Sequence, residues 1–150
     1  MNDYAIFFKY ENLILRLPVN PPSFKIRIPS KNETFNIIGL GDINIIKEAG
    51  LREISFDSFL PSQPAGSYVL TSGRFFEPTV YLDFFSKIKA DKKPFTFIVN
   101  RYLPAEKRIH DTNMEMTIED YDVTEHGGEV GDFYYSILLK EYRKYGVKKV

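Results

Sequence analysis

The chain has 150 residues, of which 43% are hydrophobic and 15% aromatic, and it contains no cysteine. This length and composition fit one globular domain with its own core, and they exclude an intrinsically disordered chain, a disulfide-stapled fold and a cysteine-ligated metal site. Twenty basic residues balance twenty acidic ones, so the net charge of zero argues against a protein that binds nucleic acid through bulk electrostatics.

The sequence predicts neither a secretory signal nor a membrane partner. Its first residues lack the basic and apolar regions of a signal peptide. The apolar runs are far shorter than the roughly 20 residues that a membrane-spanning helix needs. We therefore expect a soluble domain that is not secreted through a signal peptide.

Alternation of apolar and polar residues predicts strands along most of the chain. Phe24, Ile26 and Ile28 alternate with basic residues, so this pattern places them on one buried face. Leu138 breaks the alternation of the last strand, which indicates that this strand is covered on both sides. About nine short strands are expected, at residues 6–10, 13–17, 24–28, 34–38, 43–47, 54–56, 95–101, 114–118 and 133–142.

One segment, about residues 78–90, has helical periodicity instead. Pro78 suits the first turn of a helix, and Pro94 prevents the helix from continuing. The apolar residues that define the predicted inner face are Val80, Phe84, Phe85 and Ile88. The fold class predicted is mainly β: an antiparallel sandwich or split barrel with this one helix packed on an open side.

A long surface loop rich in proline, serine and glycine is predicted over residues 61–73. Arg74, Phe75 and Phe76 follow this loop and are the candidate interface residues, because aromatic residues commonly anchor protein interfaces. An ordinary loop whose aromatic side chains fold back onto the domain explains the same pattern equally well. The expected boundaries are a β-rich domain at 1–143 and a basic tail or linker at 144–150.

Charge is segregated along the chain although its sum is zero. Residues 87–108 hold seven basic and two acidic side chains, whereas residues 111–132 hold eight acidic side chains and no lysine or arginine. Solvated faces account for this pattern. An alternative is that a basic face of one copy meets an acidic face of the next copy in a ring.

Residues able to form a metal or cofactor site are few. His110 and His126 lie near Asp111 and Glu125, but their spacing matches no metal-ligand template. The segment Gly39-Leu40-Gly41 resembles the start of a dinucleotide fingerprint, yet it lies between two strands and is better explained as a turn. The sequence predicts no metal and no cofactor.

Catalytic constellations are equally weak. Glu119, Asp120 and Asp122 could form a carboxylate pair for hydrolysis, and on a regular strand Asp120 and Asp122 share one face while Glu119 points to the other. An exposed strand face is the simpler explanation. Because no serine nucleophile elbow is present either, we expect a protein that is not an enzyme.

Two further aromatic sets are candidate binding sites. Phe75, Phe76, Tyr81, Phe84 and Phe85 could stack on bases, but the helical spacing favours core packing. The tyrosines that could form a carbohydrate-binding face, as in a β-sandwich that attaches to cell walls, are Tyr134, Tyr142 and Tyr145.

Spaced segments covering roughly residues 13–143 resemble one known family. They are LPVNPP at 17–22, TFNIIGLGDIN at 34–44, REISF at 52–56, FLP at 59–61, NMEMTIEDY at 113–121, GDFYYSI at 131–137 and LKEYR at 139–143. Together they are similar to the N-terminal domain of the LysM-containing baseplate proteins of contractile tails, which occur in PBSX-type prophages, Gram-positive myophages and the bacteriocins called diffocins.

The resemblance implies a structural role and a fold related to the tail tube. The expected partners are other baseplate, hub and tail-tube proteins, with homo-oligomers in the particle. The expected location is the bacterial cytoplasm during assembly and then the released tail particle or virion. The family continues into a LysM domain after this region, so we expect either a chain cut at the linker or a member without LysM.

Overall fold

The computed structural model describes residues 3–64, 75–103, 107–108 and 111–144. This part of the chain forms ten strands and one helix. In chain order they are β1 (Asp3–Tyr10), β2 (Leu13–Arg16), β3 (Phe24–Arg27), β4 (Glu33–Ile37), β5 (Gly41–Ile45), β6 (Glu53–Leu60), α1 (Pro78–Asp91), β7 (Phe95–Leu103), β8 (Lys107–Arg108), β9 (Thr112–Glu125) and β10 (Phe133–Glu141).

Eight of these strands form one antiparallel sheet. Its order is β2-β1-β7-β9-β10-β6-β3, with β8 paired to β7 outside this path. Strands β4 and β5 form a separate two-stranded sheet. The seven predicted strand segments outside this pair therefore lie in a single sheet, of which β2 and β3 are the two edges.

The large sheet curls on itself, so that distant strands meet through their inner side chains. The ring of Tyr4 on β1 lies 5.9 Å from the ring of Phe24 on β3, although the two strands are far apart in the sheet order. Phe56 on β6 lies 6.4 Å from Phe97 on β7. These contacts close most of a barrel, which confirms the predicted mainly β, split-barrel class.

The helix α1 packs its aromatic side chains into the curled sheet. The Phe85 ring lies 5.2 Å from Phe8 on β1 and 5.9 Å from Tyr135 on β10. Pro78 occupies the first turn, and the helix ends at Asp91; the capping residue Lys92 adopts a left-handed conformation and donates its backbone N–H to the Lys89 carbonyl. The predicted helix is thus confirmed with one added residue, Asp91.

The core is a continuous aromatic and aliphatic cluster. Phe8 is fully buried, stacked on Phe95 at 4.9 Å and edge-on to Phe97 at 5.5 Å. A fully buried phenylalanine contributes about 1.5–3 kcal/mol relative to an exposed one. The cluster includes side chains from α1 and from every strand of the sheet path except β3. In the described residues no helix has both the length and the apolar character that crossing a bilayer demands.

The inward prediction for β3 is wrong beyond its first residue. Phe24 is half-buried against the core, but Ile26 is 36% and Ile28 70% exposed. The strand is a sheet edge that pairs only with β6 among the described strands, so its side chains lie at the rim of the barrel. Period-two patterning identifies a strand but does not say whether a neighbouring layer covers it.

Strand β9 contains a β-bulge that the sequence pattern hides. Leu138 pairs with Asp120 whereas Leu139 pairs with Ile118, so Glu119 has no opposite residue. Without the bulge, Asp120 and Asp122 would continue the core face of Ile118. The extra residue shifts the alternation, so that Tyr121 instead packs inward, 5.9 Å from the Phe85 ring. All three carboxylate side chains are exposed, and the predicted split of their faces does not hold.

Candidate interaction surfaces

A projecting hairpin, which we call the arm (residues 30–49), is set apart from the barrel. It contains β4 and β5, whose backbones pair with each other and with no other described strand. An isolated bridge between Ser30 and Ala49 marks its base. A free two-stranded hairpin is at best marginally stable in water, so both its internal contacts and its attachment matter.

The arm has an apolar face and a polar face. Cross-strand pairing places Phe35 opposite Ile43 and Glu33 opposite Ile45 on one face, whereas Thr34 and Asn44 pair on the other. The apolar side chains are not covered, with Phe35 46%, Ile37 41% and Ile45 43% exposed. The apolar residues at the turn and just beyond β5 are still more exposed: Ile38 is 98%, Leu40 74% and Ile46 82% exposed. Exposed apolar surface concentrated in this way is typical of an interaction site.

The base of the arm is tied to the barrel. The Gly50 N–H donates to the Pro29 carbonyl at 2.9 Å. The Arg143 guanidinium donates to the carbonyls of Ala49 at 3.4 Å and Gly50 at 3.3 Å. The chain segment that follows β10 therefore supports the base of the arm.

Next to this base, Arg52 and Glu141 form a clamp between the start of β6 and the end of β10. Two guanidinium nitrogens of Arg52 donate to the two carboxylate oxygens of Glu141, each at 3.2 Å. The Arg52 N–H also donates to this carboxylate at 3.0 Å, and the Glu141 N–H donates to the Arg52 carbonyl at 2.7 Å. The hydrogen bonds from Arg52 lower the pKa of Glu141 to about 2.

A recess of about 270 Å³ lies beside the β2 edge and helix α1; we call it the edge recess. Tyr10, Leu13 and Phe84 supply its apolar surface. The Tyr10 hydroxyl donates to Asp91 at 2.6 Å, and this hydrogen bond raises the pKa of Tyr10 to about 12. Lys87 lies 2.9 Å from the Asp91 carboxylate. The remaining lining residues are Glu11 and Asn12. The walls of the recess are therefore fixed by contacts within the chain.

A second apolar groove, of about 350 Å³, lies across β6 and β10; we call it the sheet groove. It is lined by Val19, Asn20, Pro22, Asp57, Ser58, Phe59 and Tyr134. The Phe59 and Tyr134 rings stack at 5.4 Å. The Tyr134 hydroxyl donates to Glu129 at 2.5 Å, so acidic groups border this groove.

The candidate interface residues are only partly described. Arg74 lies outside the described residues, and Phe75 is half-buried. Phe76 packs on the core, with its ring 6.5 Å from Tyr81 and at a steep angle to it. This contact favours the alternative in which the aromatic side chain folds back, while the role of the three residues in assembly stays a prediction.

The histidines do not come together in the described part of the chain. His110 lies outside it, and the His126 ring stands edge-on to Tyr134 at 4.5 Å. No group of three or more metal-binding side chains occurs among the residues that the structure describes.

The carboxylates of β9 lie in the exposed C-terminal half of that strand. Glu119 lines a surface recess of about 330 Å³ with Lys89, Lys92 and Lys93. The Lys89 ammonium donates to the backbone carbonyl of Glu119 at 2.9 Å. Asp120 and Asp122 do not line that recess. The three residues thus do not converge on one cavity.

Of the three tyrosines considered for carbohydrate binding, Tyr145 lies outside the described residues. Tyr134 is half-buried between Phe59 and His126, and Tyr142 is half-buried with its N–H donated to the Glu115 carbonyl. The two described tyrosines therefore do not present a platform of open rings.

Sequence reasoning identified both strands of the arm but not their separation from the barrel. The signal was present in the composition: Asp42 is the only charged residue within 34–46, a stretch that is rich in isoleucine. A paired strand that faces solvent on both sides normally carries more charge than this.

The chain has a relative of unestablished function. It is 32% identical over 138 residues to the uncharacterized protein YqbP of Bacillus subtilis (strain 168). The match covers 91% of this chain but 58% of the relative, so the chain spans little more than half of that protein's length. No protein-family model matches the chain.

Solved structures share the fold at very low sequence identity. A protein in the six-fold symmetrised baseplate of the anti-feeding prophage superposes with a TM-score of 0.60 at 6% identity, covering 95% of this chain and 91% of that one. The SPP1 tail tube protein gives 0.57 at 11% identity, covering 93% and 73%. A protein of the native gene transfer agent particle gives 0.51 at 9% identity, covering 93% and 92%. The chain therefore has a tail-tube-like β fold.

Proposed function

We propose that this chain is a non-catalytic structural subunit of a phage-tail-like particle, in the baseplate or hub region of a contractile tail, where it holds tube, hub and wedge proteins together. The observation that carries the proposal is the likeness of nearly the whole domain to proteins from a baseplate and a tail tube. The segments that resemble the LysM-containing baseplate family support the finer assignment.

The surfaces of the domain suit a part that works by contact. The arm exposes apolar side chains, and two apolar depressions are open on the barrel. The β9 carboxylates and the described histidine do not form a convergent ionisable cluster. A subunit of this kind accumulates in the bacterial cytoplasm during assembly and leaves the cell within the particle.

The family that the segments resemble continues into a LysM domain after this region, so the proposal leaves two cases: a longer protein that carries LysM, or a member without it. The Bacillus relative is longer than the matched region, which leaves room for such a domain there. The native gene and the mass of the purified native protein test this part of the proposal directly.

The function is tested in the producing bacterium. The gene is deleted, tail assembly is induced, and sedimented particles are imaged by electron microscopy and analysed by mass spectrometry. We expect the wild-type chain to co-sediment in a fixed ratio to tube and sheath proteins, and the deletion to abolish complete baseplates. Normal particles assembled without this chain would overturn the proposal.

The same material separates the alternative functions. Binding of the purified domain to cell walls, lost when Tyr134 and Tyr142 are changed to alanine, would favour a carbohydrate-binding module. Wall degradation that is lost on changing Asp120 and Asp122 to asparagine would favour a hydrolase. The structural proposal predicts neither result, because these tyrosines are half-buried and these carboxylates are exposed and do not line the recess beside Glu119.

A further inference from the structure

The connection between β9 and β10, which we call the acidic turn (residues 125–132), is an ordered projection with negative charge. Glu125 and Glu129 are exposed, and the turn contains no lysine or arginine. The Glu129 N–H donates to the His126 carbonyl at 3.0 Å, so a backbone hydrogen bond shapes the turn. Val130 stands beside Glu129 and is 89% exposed. The tip therefore presents an apolar side chain next to exposed carboxylates.

Two carboxylates of the acidic turn keep an uncompensated charge. Asp132 accepts the Ser62 N–H at 2.7 Å and is tied into the chain. Glu129 accepts only a neutral donor, the Tyr134 hydroxyl, at 2.5 Å. Neither Glu125 nor Glu129 forms an ion pair within the part of the chain that the structure describes.

The recess beside Glu119, which we call the lysine recess, has the opposite charge. Buried Ile88 and Ile118 line its floor. Its cations are exposed and spaced i, i+3 and i+4 at the end of α1, which places them on one side of the helix end: Lys89, Lys92 and Lys93. Against them stands the single carboxylate of Glu119, so the lining carries an excess of two positive charges.

The groups around the lysine recess do not cancel this excess. Among the described residues, none of its three lysines forms an ion pair. Beside the recess, Lys140 lies directly opposite the lining residue Thr117. Glu115 lies two residues before Thr117 on β9, so its charge and that of Lys140 offset each other. Asp91 at the helix end is paired with Lys87 at 2.9 Å.

The acidic turn does not reach the lysine recess of its own chain. Both belong to β9, which is one continuous strand from Thr112 to Glu125. Glu125 lies six residues beyond Glu119, about 20 Å along an extended strand. Pairing with β10 holds the turn at that distance. The partner of each surface must therefore come from another molecule.

From these observations we infer that the acidic turn of one copy docks in the lysine recess of a second copy of this chain. Val130 then faces the isoleucine floor, while Glu125 and Glu129 meet the lysines. Because the two surfaces differ, the contact is head-to-tail; it repeats from copy to copy and forms a ring where the rotation closes. The inference names a partner for the proposed structural subunit and rests on that function for the expectation of a repeated assembly.

The absence of native cysteine allows a test by site-specific disulfides. Val130→Cys on the turn is mixed at high protein concentration and low ionic strength with Lys92→Cys in the recess. The matched control is Val130→Cys mixed with Lys25→Cys, because Lys25 is also an exposed lysine but does not line the recess. Under mild oxidation we expect the first mixture to form heterodimer at least about tenfold faster, since docking holds the two Cα atoms within disulfide reach.

A charge swap checks the chemistry of the contact. Adding Glu125→Lys and Glu129→Lys to the turn chain should abolish the faster cross-linking. Adding Lys89→Glu and Lys93→Glu to the recess chain as well should restore it, because the two reversed surfaces attract each other again. The control is Asp120→Lys with Asp122→Lys in the turn chain, which changes the net charge equally outside the turn and should leave the rate within about twofold. Circular dichroism confirms that each barrel remains folded.

Equal rates in the two disulfide mixtures would overturn the inference, and so would a swapped pair that does not restore the faster reaction. A cross-link from Lys92→Cys to another tail protein, in place of a second copy, would overturn it too. These results are independent of the proposed function, which is decided by whether the chain enters tail particles. Incorporation without the turn–recess cross-link would disprove the docking alone, whereas the cross-link without incorporation would disprove the particle role alone.

Discussion

Arg52 and Glu141 lock the start of β6 to the end of β10 through a two-pronged ion pair and reciprocal backbone contacts. The Glu141 side chain is only 11% exposed, while that of Arg52 is 39% exposed. Since the base of the arm lies immediately before Arg52 and is held by Arg143, this pair fixes both the barrel and the origin of the arm.

Glu141→Gln should lower the free energy of unfolding by about 2 kcal/mol, because the charge-assisted hydrogen bonds to Arg52 lose their anion. Chemical denaturation at pH 7 measures the change. Glu53→Gln is the matched control: Glu53 pairs with Arg27 at 3.5 Å in an exposed setting, so it should cost less than about 1 kcal/mol. Equal effects of the two substitutions would contradict a special role for the clamp.

The same clamp predicts a pH dependence. The folded pKa of Glu141 is about 2, below its ordinary value of 4.5, so its stabilising contribution is complete above pH 4.5. The contribution falls as the pH drops from about 4.5 towards 2, because the unfolded chain then binds a proton that the folded chain does not. Glu141→Gln should flatten this part of the stability profile, and an unchanged slope would contradict the assignment.

Phe85→Ala should destabilise the domain by about 3–5 kcal/mol, because the ring is 1% exposed and contacts β1, β9 and β10 at once. Denaturant unfolding followed by circular dichroism provides the measurement. Asp83→Ala, at an exposed position of the same helix, should change stability by less than about 0.5 kcal/mol. A small effect of Phe85→Ala would show that α1 is not part of the core.

Gly131→Ala should cost about 1–3 kcal/mol. Gly131 has a φ of +94°, and an added Cβ would lie 2.9 Å from the Cβ of Ser62. Gly128 offers a control three residues away, with no atom within 4 Å of an added Cβ and no left-handed φ. Gly128→Ala should be neutral or stabilise slightly. Thermal unfolding of the two variants side by side tests the difference.

Phe76→Ser should lower stability measurably, whereas Phe75→Ser should not, because only the Phe76 ring is packed against the core cluster. Assembly of each variant is measured in the particle assay. Loss of assembly by Phe75→Ser with the barrel intact would support the interface prediction for this segment. Assembly by both variants would contradict it.

High salt should loosen any ring in which the basic segment 87–108 meets the acidic segment 111–132. The described acidic side chains at 119, 120, 122, 125 and 129 are exposed and so available to a neighbour. Screening at high ionic strength weakens contacts between such exposed charges. Sedimentation across a salt series provides the measurement, and an assembly indifferent to salt would count against this arrangement.

Local pattern was sufficient to predict most elements. The alternation of Ile54 and Phe56, and of Tyr135, Ile137 and Leu139, correctly identified core strands because each pattern reflects burial of one face. The α1 segment was predicted for the same reason, and Pro78 and Pro94 marked its limits. The mainly β class with one helix followed from this pattern, whereas the relation to the tail tube was implied by the family resemblance; the structural likenesses confirm the tail-tube-like fold.

Features that depend on contacts between segments far apart in the sequence could not be predicted from the local pattern. The bulge at Glu119 depends on how β10 pairs with β9, and nothing in the local pattern of β9 marks it. The exposure of Ile28 and of the arm depends on whether another layer of the fold packs against them. The identity of an apolar residue in the sequence does not show whether such a layer is present. The predicted loop and Arg74 lie mostly or wholly outside the described residues.

Strands β4 and β5 pair only with each other among the described strands, so the hairpin and the barrel are two separate hydrogen-bonded regions. Because neither β4 nor β5 pairs with a described barrel strand, we expect substitutions in the hairpin to leave the hydrogen-bond ladder of the barrel intact. Substitutions in the arm can therefore change the binding partner without unfolding the barrel. We expect the sequences of related proteins to diverge faster in the arm than in the barrel core.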